Sequence, residues 1–353
     1  MNHDCIERVL ALSNAFGPSG MEDEVVALAK ADTADFCDAA EDTLRNLYLR
    51  PRSNASKPGG CTIALDAHSD EVGFMVQALL ENGTLRFLPL GGWNPVNIVG
   101  APVKIQTQNG FVTGIVAAKP VHFMSEEEKR RPIDFDSLVI DVGTSDKAQT
   151  RALGIRPGDF VVPAVSCAFD ENRGVFMGKA FDCRIGCAAL LDTLRQTQTS
   201  PNHVIGVLSA QEEVGDRGST LAAKKIQADV VICFEGCPAD DSFESPDLIQ
   251  SAMNKGVMLR AFDRSMITHP RFQRFALRCA EEHGIPYQVA VRKGGGTNGG
   301  IYHTYDMPTI VIGIPTRFAH SSVGFCSIKD YEGAVELAKA IIESLDKETV
   351  ASF

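Results

Sequence analysis

Apolar residues recur at helical spacing near the start of the chain, at Ile6, Val9, Leu10 and Leu12. This spacing predicts a helix, and the Gly-Pro-Ser-Gly segment at residues 17–20 then interrupts it. Ser19 and Glu22 have the spacing of a capping box, so we expect Ser19 to cap a second helix that ends near Phe36. The chain is therefore predicted to open with two helices separated by a tight break.

Outside residues 72–163, the rest of the chain alternates short apolar runs with segments of helical spacing. The short runs predict buried strands at Cys61–Ala67, Val204–Ala210, Val230–Phe234 and Thr309–Ile314. The helical spacing predicts helices at Ile185–Leu194, Arg271–His283 and Ala334–Leu345. Strands that alternate with helices indicate an α/β domain with a mixed, largely parallel sheet flanked by helices.

Residues 72–163 have a different texture, in which short β-rich pieces are separated by glycine, asparagine and proline turns. These pieces are Val103–Thr107, Phe111–Val116, Leu138–Val142 and Phe160–Pro163. The pattern predicts a small β-barrel domain inserted into the α/β domain, which would comprise residues 1–71 and 164–353. A chain of 353 residues is long enough for one large domain and a smaller one.

The charge and composition of the chain argue against several classes of function. The formal net charge is −11 and no block of lysine and arginine stands out, so nucleic acid is not an expected partner. No apolar run approaches the roughly 20 residues that span a bilayer, so no membrane association is expected. The segment Met1–Leu10 carries Asp4, Glu7 and Arg8 and lacks the apolar core of a secretory signal, which predicts a cytoplasmic location.

Five metal-competent side chains lie at or just beyond the ends of predicted strands or at the start of a predicted helix. They are His68, Asp182, Glu213, Glu235 and His320. In open α/β sheets, ligands bind at the edge formed by the strand ends. Mixed nitrogen and oxygen donors suit zinc, cobalt or manganese, and a carboxylate shared between two ions is how co-catalytic metal pairs are built. The alternative for Asp182 is a plain helix N-cap.

Two neighbouring carboxylates extend this candidate site. Asp70 lies two positions after His68 and can accept the second ring N–H of that histidine, which leaves the other nitrogen for a metal. Glu212 and Glu213 are adjacent carboxylates at the end of an apolar run, where like charges repel unless a cation is near. One can bind a metal while the other serves as a general base.

The ten cysteines include no CxxC pair and are expected to be free thiols. Cys183 and Cys187 have helical spacing, and Cys233 and Cys237 flank Glu235. A thiolate metal site at one of these pairs stays open as an alternative to the nitrogen and oxygen set.

An ordered series of short motifs resembles the tetrahedral (TET) aminopeptidases, which include glutamyl aminopeptidases and belong to the co-catalytic zinc exopeptidases. The resemblance covers nearly the whole chain. Its main motifs are Gly-Pro-Ser-Gly-Met-Glu at 17–22, His-Ser-Asp-Glu-Val-Gly-Phe at 68–74, Phe-Asp-Cys-Arg-Ile-Gly at 181–186, Gln-Glu-Glu-Val-Gly at 211–215 and Ala-His-Ser at 319–321. Each motif is unspecific alone, but the ordered set is highly specific.

The resemblance implies a role for each candidate ligand. His68 and Glu235 would hold one divalent ion, and Glu213 and His320 would hold the other, with Asp182 as the bridge. The two ions per subunit would be zinc, with cobalt or manganese as alternatives. The family cuts peptides at a free N-terminus, so the implied activity is that of an aminopeptidase acting on short peptides.

The resemblance also implies roles outside the ligand set. Glu212 would be the catalytic base, and Asp70 would orient His68. The inserted β domain would serve dimerisation, and dimers of family members build hollow homo-oligomers of twelve subunits. In related dimeric peptidases a histidine of the inserted domain approaches the partner's site, which makes His122 a candidate for that role. The alternative is a surface histidine at a β turn.

Three positions depart from the family pattern. Glu235 replaces the usual aspartate, Cys183 follows the bridging Asp182 in place of asparagine or aspartate, and Asn298 stands where an aspartate is usual. These departures leave the preferred N-terminal residue open. Three cations outside the ligand set are candidates for binding an acidic side chain, namely Arg217, Arg292 and Lys293.

Other functions are compatible with parts of this pattern. The same metal set would support a related carboxypeptidase or deacylase, which a requirement for a free substrate amine would distinguish. Paired carboxylates also occur in glycosidases, but the histidines would then have no task. A non-catalytic binding protein on a peptidase fold is a third alternative, and it would be expected to carry a damaged ligand set.

Overall fold

The structure is a computed structural model that describes residues 3–57 and 59–353. Met1, part of the N-terminal segment considered above, lies outside the described residues. The strands are β1 Cys37–Glu41, β2 Leu47–Pro51, β3 Thr62–His68, β4 Gly73–Leu79, β5 Leu85–Leu90, β6 Pro102–Thr107, β7 Gly110–Ala117, β8 Val139–Asp141, β9 Phe160–Pro163, β10 Ala168–Asp170, β11 Val175–Gly178, β12 His203–Ser209, β13 Val230–Glu235, β14 Val257–Phe262, β15 Tyr287–Val291, β16 Thr309–Gly313, β17 Thr316–Arg317 and β18 Gly324–Ser327. The helices are α1 His3–Asn14, α2 Asp23–Thr33, α3 Lys147–Ala152, α4 Phe181–Gln196, α5 Arg217–Lys225, α6 Pro270–Glu282, α7 Gly299–Tyr302, α8 Ile328–Ser344 and α9 Lys347–Ala351.

An eight-stranded mixed sheet with the order β1-β2-β12-β3-β13-β16-β14-β15 forms the larger body. The central strands β12, β3, β13 and β16 are parallel to one another. They are mostly apolar and almost entirely buried, as expected for parallel strands that are covered on both faces. Helices α1, α4, α6 and α8 pack on one side of this sheet and share its largest hydrophobic core.

A closed antiparallel barrel of six strands has the order β4-β5-β8-β7-β6-β9. In the sequence, the barrel follows β3 and precedes the remaining strands of the eight-stranded sheet. It has its own core, in which Phe74 packs edge-on against Phe87 and stacks on Trp93. A second, four-stranded antiparallel sheet, β10-β11-β18-β17, follows the barrel. The predicted fold class, a largely parallel mixed sheet flanked by helices together with a small β-barrel, is confirmed.

The start of the second helix differs from the prediction. Helix α2 begins at Asp23, and no side chain caps it. Ser19 Oγ donates to Asp70 instead, and Glu22 accepts the backbone N–H groups of Gly20 and Gln211. The capping box was therefore wrong, because Ser19 and Glu22 form hydrogen bonds with the loops at the sheet edge rather than with the helix. The helix ends at Thr33 rather than near Phe36.

Among the described residues, none of the helices has both the length and the apolar character needed to cross a membrane.

Candidate active site

The parallel register of the central strands brings the predicted ligands to one edge of the sheet. His68 is the last residue of β3 and pairs with Ser209, the last residue of β12. Glu235 is the last residue of β13 and pairs with Gly313, the last residue of β16. Side chains that are far apart in the sequence therefore meet where the strands end, as the strand-end rule predicts.

Asp182 lies between the two predicted histidines. Its Oδ1 atom is 3.0 Å from His68 Nε2, and its Oδ2 atom is 3.3 Å from His320 Nε2. Glu235 Oε2 lies 3.7 Å from His68 Nε2, and Glu213 Oε2 lies 3.4 Å from His320 Nε2. The five residues form two adjacent groups that share one carboxylate.

The continuous part of helix α4 begins after Asp182 and Cys183, because the backbone torsion angles of these two residues are non-helical. Within the described part of the chain, the Asp182 carboxylate contacts His68 and His320 and accepts no backbone N–H of the helix. A plain N-cap role therefore does not account for the position of this side chain. The irregular first turn leaves the Asp182 carboxylate beside the two histidines.

Asp70 is fully buried and connects the His68 loop to the Glu212–Glu213 turn. Its carboxylate accepts the backbone N–H groups of Glu212 at 3.0 Å and Glu213 at 3.2 Å, and the hydroxyl of Ser19 at 2.6 Å. His68 Nδ1 lies 3.2 Å from the Asp70 backbone oxygen and 3.4 Å from its carboxylate. The ring therefore presents Nε2 to the carboxylates of the site.

The barrel contributes to the position of His320. The loop after β5 places the Gly92 carbonyl oxygen 2.7 Å from His320 Nδ1, which leaves Nε2 to face Asp182 and Glu213. Gly91, with φ of +84°, precedes this contact, and a Cβ atom there would crowd Val72 and Glu213. A side chain at position 91 is excluded both by the left-handed backbone and by the lack of space.

The carboxylates of the site carry more negative charge than the neighbouring histidines neutralise. Burial, with repulsion from Asp182, raises the pKa values of Glu213 and Glu235 to about 8. Burial likewise raises the pKa of Glu212 well above its ordinary value, and the neighbouring carboxylates Glu213 and Glu235 raise it further. Burial would lower the pKa of His320, but its hydrogen bond with Asp182 and the charge of Glu213 raise that pKa to about 10. Such an arrangement favours bound protons or, equally, bound cations.

The donor atoms fit divalent cations. One group of donor atoms that all lie within 4.8 Å of one another comes from His68, Asp182, Cys183 and Glu235, and another comes from Asp182, Glu213 and His320. Glu213 Oε1 is buried and has no hydrogen-bond partner among the described residues. A buried carboxylate oxygen without a donor is costly unless a cation supplies the missing interaction. The residues present therefore fit divalent cations.

A cavity of about 770 Å³ opens at this cluster. Its lining includes Asp182, Glu212, Glu213, Glu235 and His320, whereas His68 is buried behind them. The lining also includes three cationic side chains, Arg260, Arg292 and Lys293. The volume lies within the range of small-molecule binding pockets.

Arg260 is not among the site residues predicted from the sequence. A charged residue within the otherwise apolar strand Val257–Phe262 is the sequence feature that would have indicated it. Arg260 donates to Asp263 at 2.9 Å, and its Nε atom is buried without a partner among the described residues. Arg292 donates to the Pro238 carbonyl oxygen, and its Nε atom is also unpartnered in the same part of the chain. Arg217 bonds to Gln211 and does not line the cavity.

Asn298 lies beneath the site rather than in the cavity. Its amide nitrogen donates at 2.7 Å both to Asp66 and to Ser209 Oγ. Asp66, on β3, is fully buried and also accepts the hydroxyl of Tyr302. The asparagine at position 298 supplies the hydrogen-bond donor that Asp66 accepts. An aspartate at this position could donate a hydrogen bond only when protonated.

A buried arginine fixes the loop that carries His68. Arg184 donates to the backbone oxygens of Ser69, Leu12 and Gly17 and lies 3.3 Å from Glu71. Lys179 also bonds to Glu71, at 2.5 Å. Neither cation was singled out from the sequence, because nothing local in the sequence shows that the side chains are buried.

His122 lies in an exposed turn of the barrel, within Val121–Phe123. It is not part of the cavity lining of this chain. Its suggested approach to a partner's site stays a prediction.

Comparisons with known proteins agree with this geometry. The sequence model described as M42 glutamyl aminopeptidase matches residues 47–337. The chain is 30% identical to the glutamyl aminopeptidase of Lactococcus lactis, over 99% of this chain and 98% of the relative. Its fold is similar to the TET aminopeptidase of a marine sediment archaeon, Thaumarchaeota archaeon SCGC AB-539-E09, with a TM-score of 0.95 and 35% identity over 99% of this chain and 98% of that one.

The fold is also similar to the TET1 peptidase of Pyrococcus horikoshii, described as assembling into a tetrahedron or a large octahedral shell. That likeness has a TM-score of 0.86 and 27% identity, over 97% of this chain and all of the other. The family match covers most of the chain and includes every residue of the cluster around Asp182. The protein is therefore a peptide hydrolase and belongs to the M42 glutamyl aminopeptidase family, whose members are metal-dependent.

Proposed function

We propose that this chain is an aminopeptidase that uses two divalent metal ions to remove the N-terminal residue from short peptides. The observation that carries the proposal is the position of Asp182. Its two carboxylate oxygens face the Nε2 atoms of His68 and His320, at 3.0 and 3.3 Å. A carboxylate with one oxygen toward each histidine is arranged to bridge two ions.

The ligand assignment follows from the two groups around Asp182. His68 and Glu235 would hold one ion, and Glu213 and His320 would hold the other. Zinc suits this mixture of nitrogen and oxygen donors best, with cobalt or manganese as alternatives. When bound, the ions would supply Lewis-acid chemistry, which activates water and stabilises negative charge on the carbonyl oxygen.

Glu212 is the proposed general base. Its carboxylate lines the cavity and lies 3.9 Å from His68 Nε2, which places it beside the ligands. Within the described residues, no hydrogen bond ties its side chain elsewhere. It is therefore free to accept a proton from the attacking water and to pass that proton to the leaving amine.

The cavity favours an acidic first residue. Arg260, Arg292 and Lys293 line it together with the carboxylate cluster. Their positive charge would attract a substrate carboxylate, and arginine binds carboxylates with high geometric specificity. The glutamyl aminopeptidase activity named for the Lactococcus lactis relative is consistent with this preference.

We also propose that the β-barrel region, residues 72–163, mediates dimerisation and that the chain forms a homo-oligomer. Exposed apolar side chains occur on this region, at Leu88, Val96, Phe111, Ile115, Val121 and Phe123. A partner subunit would cover apolar side chains of this kind, which are enriched where such residues form a continuous interface. The shell-like assemblies described for the Pyrococcus horikoshii peptidase support the same inference.

A kinetic panel tests the proposed activity. Glutamyl, leucyl and lysyl anilides, the N-acetylated form of each, and peptides with a free C-terminus are offered to the metal-free chain and to the chain with zinc, cobalt or manganese. We expect turnover of the free-amine substrates only, with metal present and with glutamyl fastest. Turnover of N-acetylated substrates would favour the deacylase alternative, and release of C-terminal residues would favour the carboxypeptidase. The absence of any metal-dependent hydrolysis would contradict the proposal.

A further inference from the structure

We propose that the Cys183 thiolate is an additional ligand of the ion held by His68 and Glu235. One of the two subsites would then bind metal through nitrogen, oxygen and sulfur, whereas the other would use nitrogen and oxygen alone. The inference rests on the proposed function, because it requires a metal ion at His68. It concerns position 183, where this chain has a cysteine and the family usually has asparagine or aspartate.

The distances fit a metal ligand. The donor atoms of His68, Asp182, Cys183 and Glu235 all lie within 4.8 Å of one another. Zinc–sulfur bonds of about 2.3 Å and zinc–nitrogen or zinc–oxygen bonds of about 2.0–2.2 Å separate neighbouring donors in a tetrahedron by roughly 3.3–3.7 Å. Donors at the outer limit of 4.8 Å would have to approach one another by roughly 1.1–1.5 Å to reach ordinary coordination distances around one ion.

The surroundings of Cys183 hold its sulfur at this place. The residue is fully buried, and its thiol donates at 3.2 Å to the backbone oxygen of Phe234, the residue that precedes Glu235. A Cβ atom at position 186 would collide with Sγ, so Gly186 provides the space in which the sulfur sits. The thiol is thus packed against the end of the strand that delivers Glu235.

Glu235 independently indicates a cation at the same point. Its side chain is 7% exposed and, within the described part of the chain, accepts no hydrogen bond. The nearest candidate partner is His68 Nε2, at 3.7 Å. A carboxylate that is buried to this extent is normally paired with a cation or hydrogen-bonded.

A bound cation is required to form the thiolate. Asp182, Glu212, Glu213 and Glu235 already bring four carboxylates to the site, and in the metal-free chain the Cys183 thiol keeps its proton and donates it to the Phe234 carbonyl oxygen. That proton would leave to solvent when the metal binds, as it does in other cysteine-ligated sites.

Thiolate ligation makes the two subsites unequal. Sulfur is a soft donor that favours zinc over manganese, whereas carboxylate and imidazole donors accept either. The subsite of His68, Cys183 and Glu235 should therefore retain zinc, and the subsite of Glu213 and His320 should exchange its ion more readily. No other cysteine belongs to a donor group in the described residues, and Cys187 instead donates to the His68 backbone oxygen at 3.0 Å.

Cobalt titration of the metal-free full-length chain tests the inference, since a thiolate bound to Co²⁺ gives a near-ultraviolet charge-transfer band. Metal content is measured in parallel by elemental analysis. We expect the wild-type chain to bind two cobalt ions and to show the band with the first of them. C183S should lose the band and should lower the affinity of one subsite by at least the roughly 10–100-fold that loss of a metal's outer partner costs. C187S, a matched buried thiol outside the donor group, should keep both.

The outcomes separate the two proposals. Two bound cobalt ions without a charge-transfer band in the wild-type chain would overturn thiolate ligation and leave the two-ion site standing. A band that survives in C183S would overturn it as well. Failure of the wild-type chain to bind cobalt would overturn both the ligation and the proposed function. The wild-type spectrum needs no substitution, so the test holds even if C183S folds poorly.

Discussion

The Asp70 carboxylate accepts the backbone N–H of Glu212 at 3.0 Å. The same carboxylate accepts the N–H of Glu213 and lies 3.4 Å from His68 Nδ1. One buried side chain therefore positions a proposed metal ligand, the proposed base and a second ligand at once. Its role extends beyond the orientation of His68 that the sequence predicts.

We expect D70N to lower kcat and metal affinity together. An amide can accept from one side only, so one of the two backbone N–H groups loses its acceptor and the Glu212–Glu213 turn is no longer fixed. Loss of such outer partners of metal ligands typically costs about 10–100-fold. Steady-state kinetics and metal titration measure the change. S19A, which removes only the hydroxyl donor to Asp70, is the milder control, and an unchanged kcat in D70N would contradict the role.

The Glu212 carboxylate gives a different prediction. E212Q should keep both metal ions, because Glu212 is not in the proposed ligand set, but should lose about 10²–10⁴-fold in kcat because an amide cannot accept the proton. Elemental analysis and kinetics on the same preparation separate the two effects. Turnover near that of the wild-type chain would rule out Glu212 as the base.

The sequence predicts those parts of the structure that are determined by residues close together in the chain. The strand Phe160–Pro163 is predicted at its observed bounds, and Thr309–Ile314 is predicted within one residue, because short apolar runs bounded by turns indicate buried strands. The geometry around Asp182 agrees with the predicted grouping of ligands, because parallel strands place their ends together. What each ligand does in catalysis stays a prediction.

Non-local contacts account for what the sequence did not predict. Ser19 and Glu22 have the pattern of a capping box, but the nearby Asp70 and the Gln211 backbone offer them buried partners. The Gly92 carbonyl that orients His320 belongs to the barrel, and no sequence pattern links the two residues. Such contacts exist only once the chain has folded.

Metal removal should destabilise the chain more at high pH than at low pH. Without cations, Glu213 and Glu235 have pKa values of about 8 in the folded state, above the ordinary value of 4.5. The folded metal-free chain then binds protons more tightly than the unfolded chain, so its stability falls as the pH rises from about 4.5 through 8. Thermal unfolding with and without zinc should therefore show a gap in Tm that widens from pH 6 to pH 9.

The stabilisation that bound zinc provides sets the expected size of the difference in Tm. A ligand at one hundred times its Kd adds about 2.7 kcal/mol per site to the free energy of unfolding.

D182N, which loses the shared carboxylate, should show little stabilisation by zinc and no stoichiometric binding by elemental analysis. Full metal occupancy in this variant would refute the bridge, and a Tm gap independent of pH would contradict the electrostatic argument.

The cation-lined cavity predicts an effect on specificity rather than on chemistry. R292Q should lower kcat/KM for a glutamyl anilide by roughly 10–100-fold, since a hydrogen bond to a charged group contributes about 1.5–3 kcal/mol. The value for a leucyl anilide should change little. R217Q is the matched control, because Arg217 is a nearby cation that does not line the cavity. Equal losses on both substrates would show that Arg292 supports the site as a whole.

Arg8 gives a prediction about stability that is independent of the site. Its guanidinium donates to Asp32 at 2.9 and 3.1 Å and to Asp192, and it ties α1 to α2 and α4. Asp192 also accepts the hydroxyl of Tyr331 on α8. R8M should lower the free energy of unfolding by about 3–5 kcal/mol, because it leaves Asp192 buried without its cation. Denaturant unfolding at constant metal concentration measures the loss.

The pH dependence distinguishes a lost charge pair from lost packing. Burial raises the pKa of Asp192, and Arg8 acts against that rise. Removing Arg8 should raise this pKa further, so the cost of R8M should be smaller at pH 5, where Asp192 can bind a proton, and larger at pH 8. The double variant R8M/D192N removes both charges and should recover part of the loss at pH 8. A cost for R8M that is equal at both pH values would instead assign the role of Arg8 to the packing of its alkyl chain.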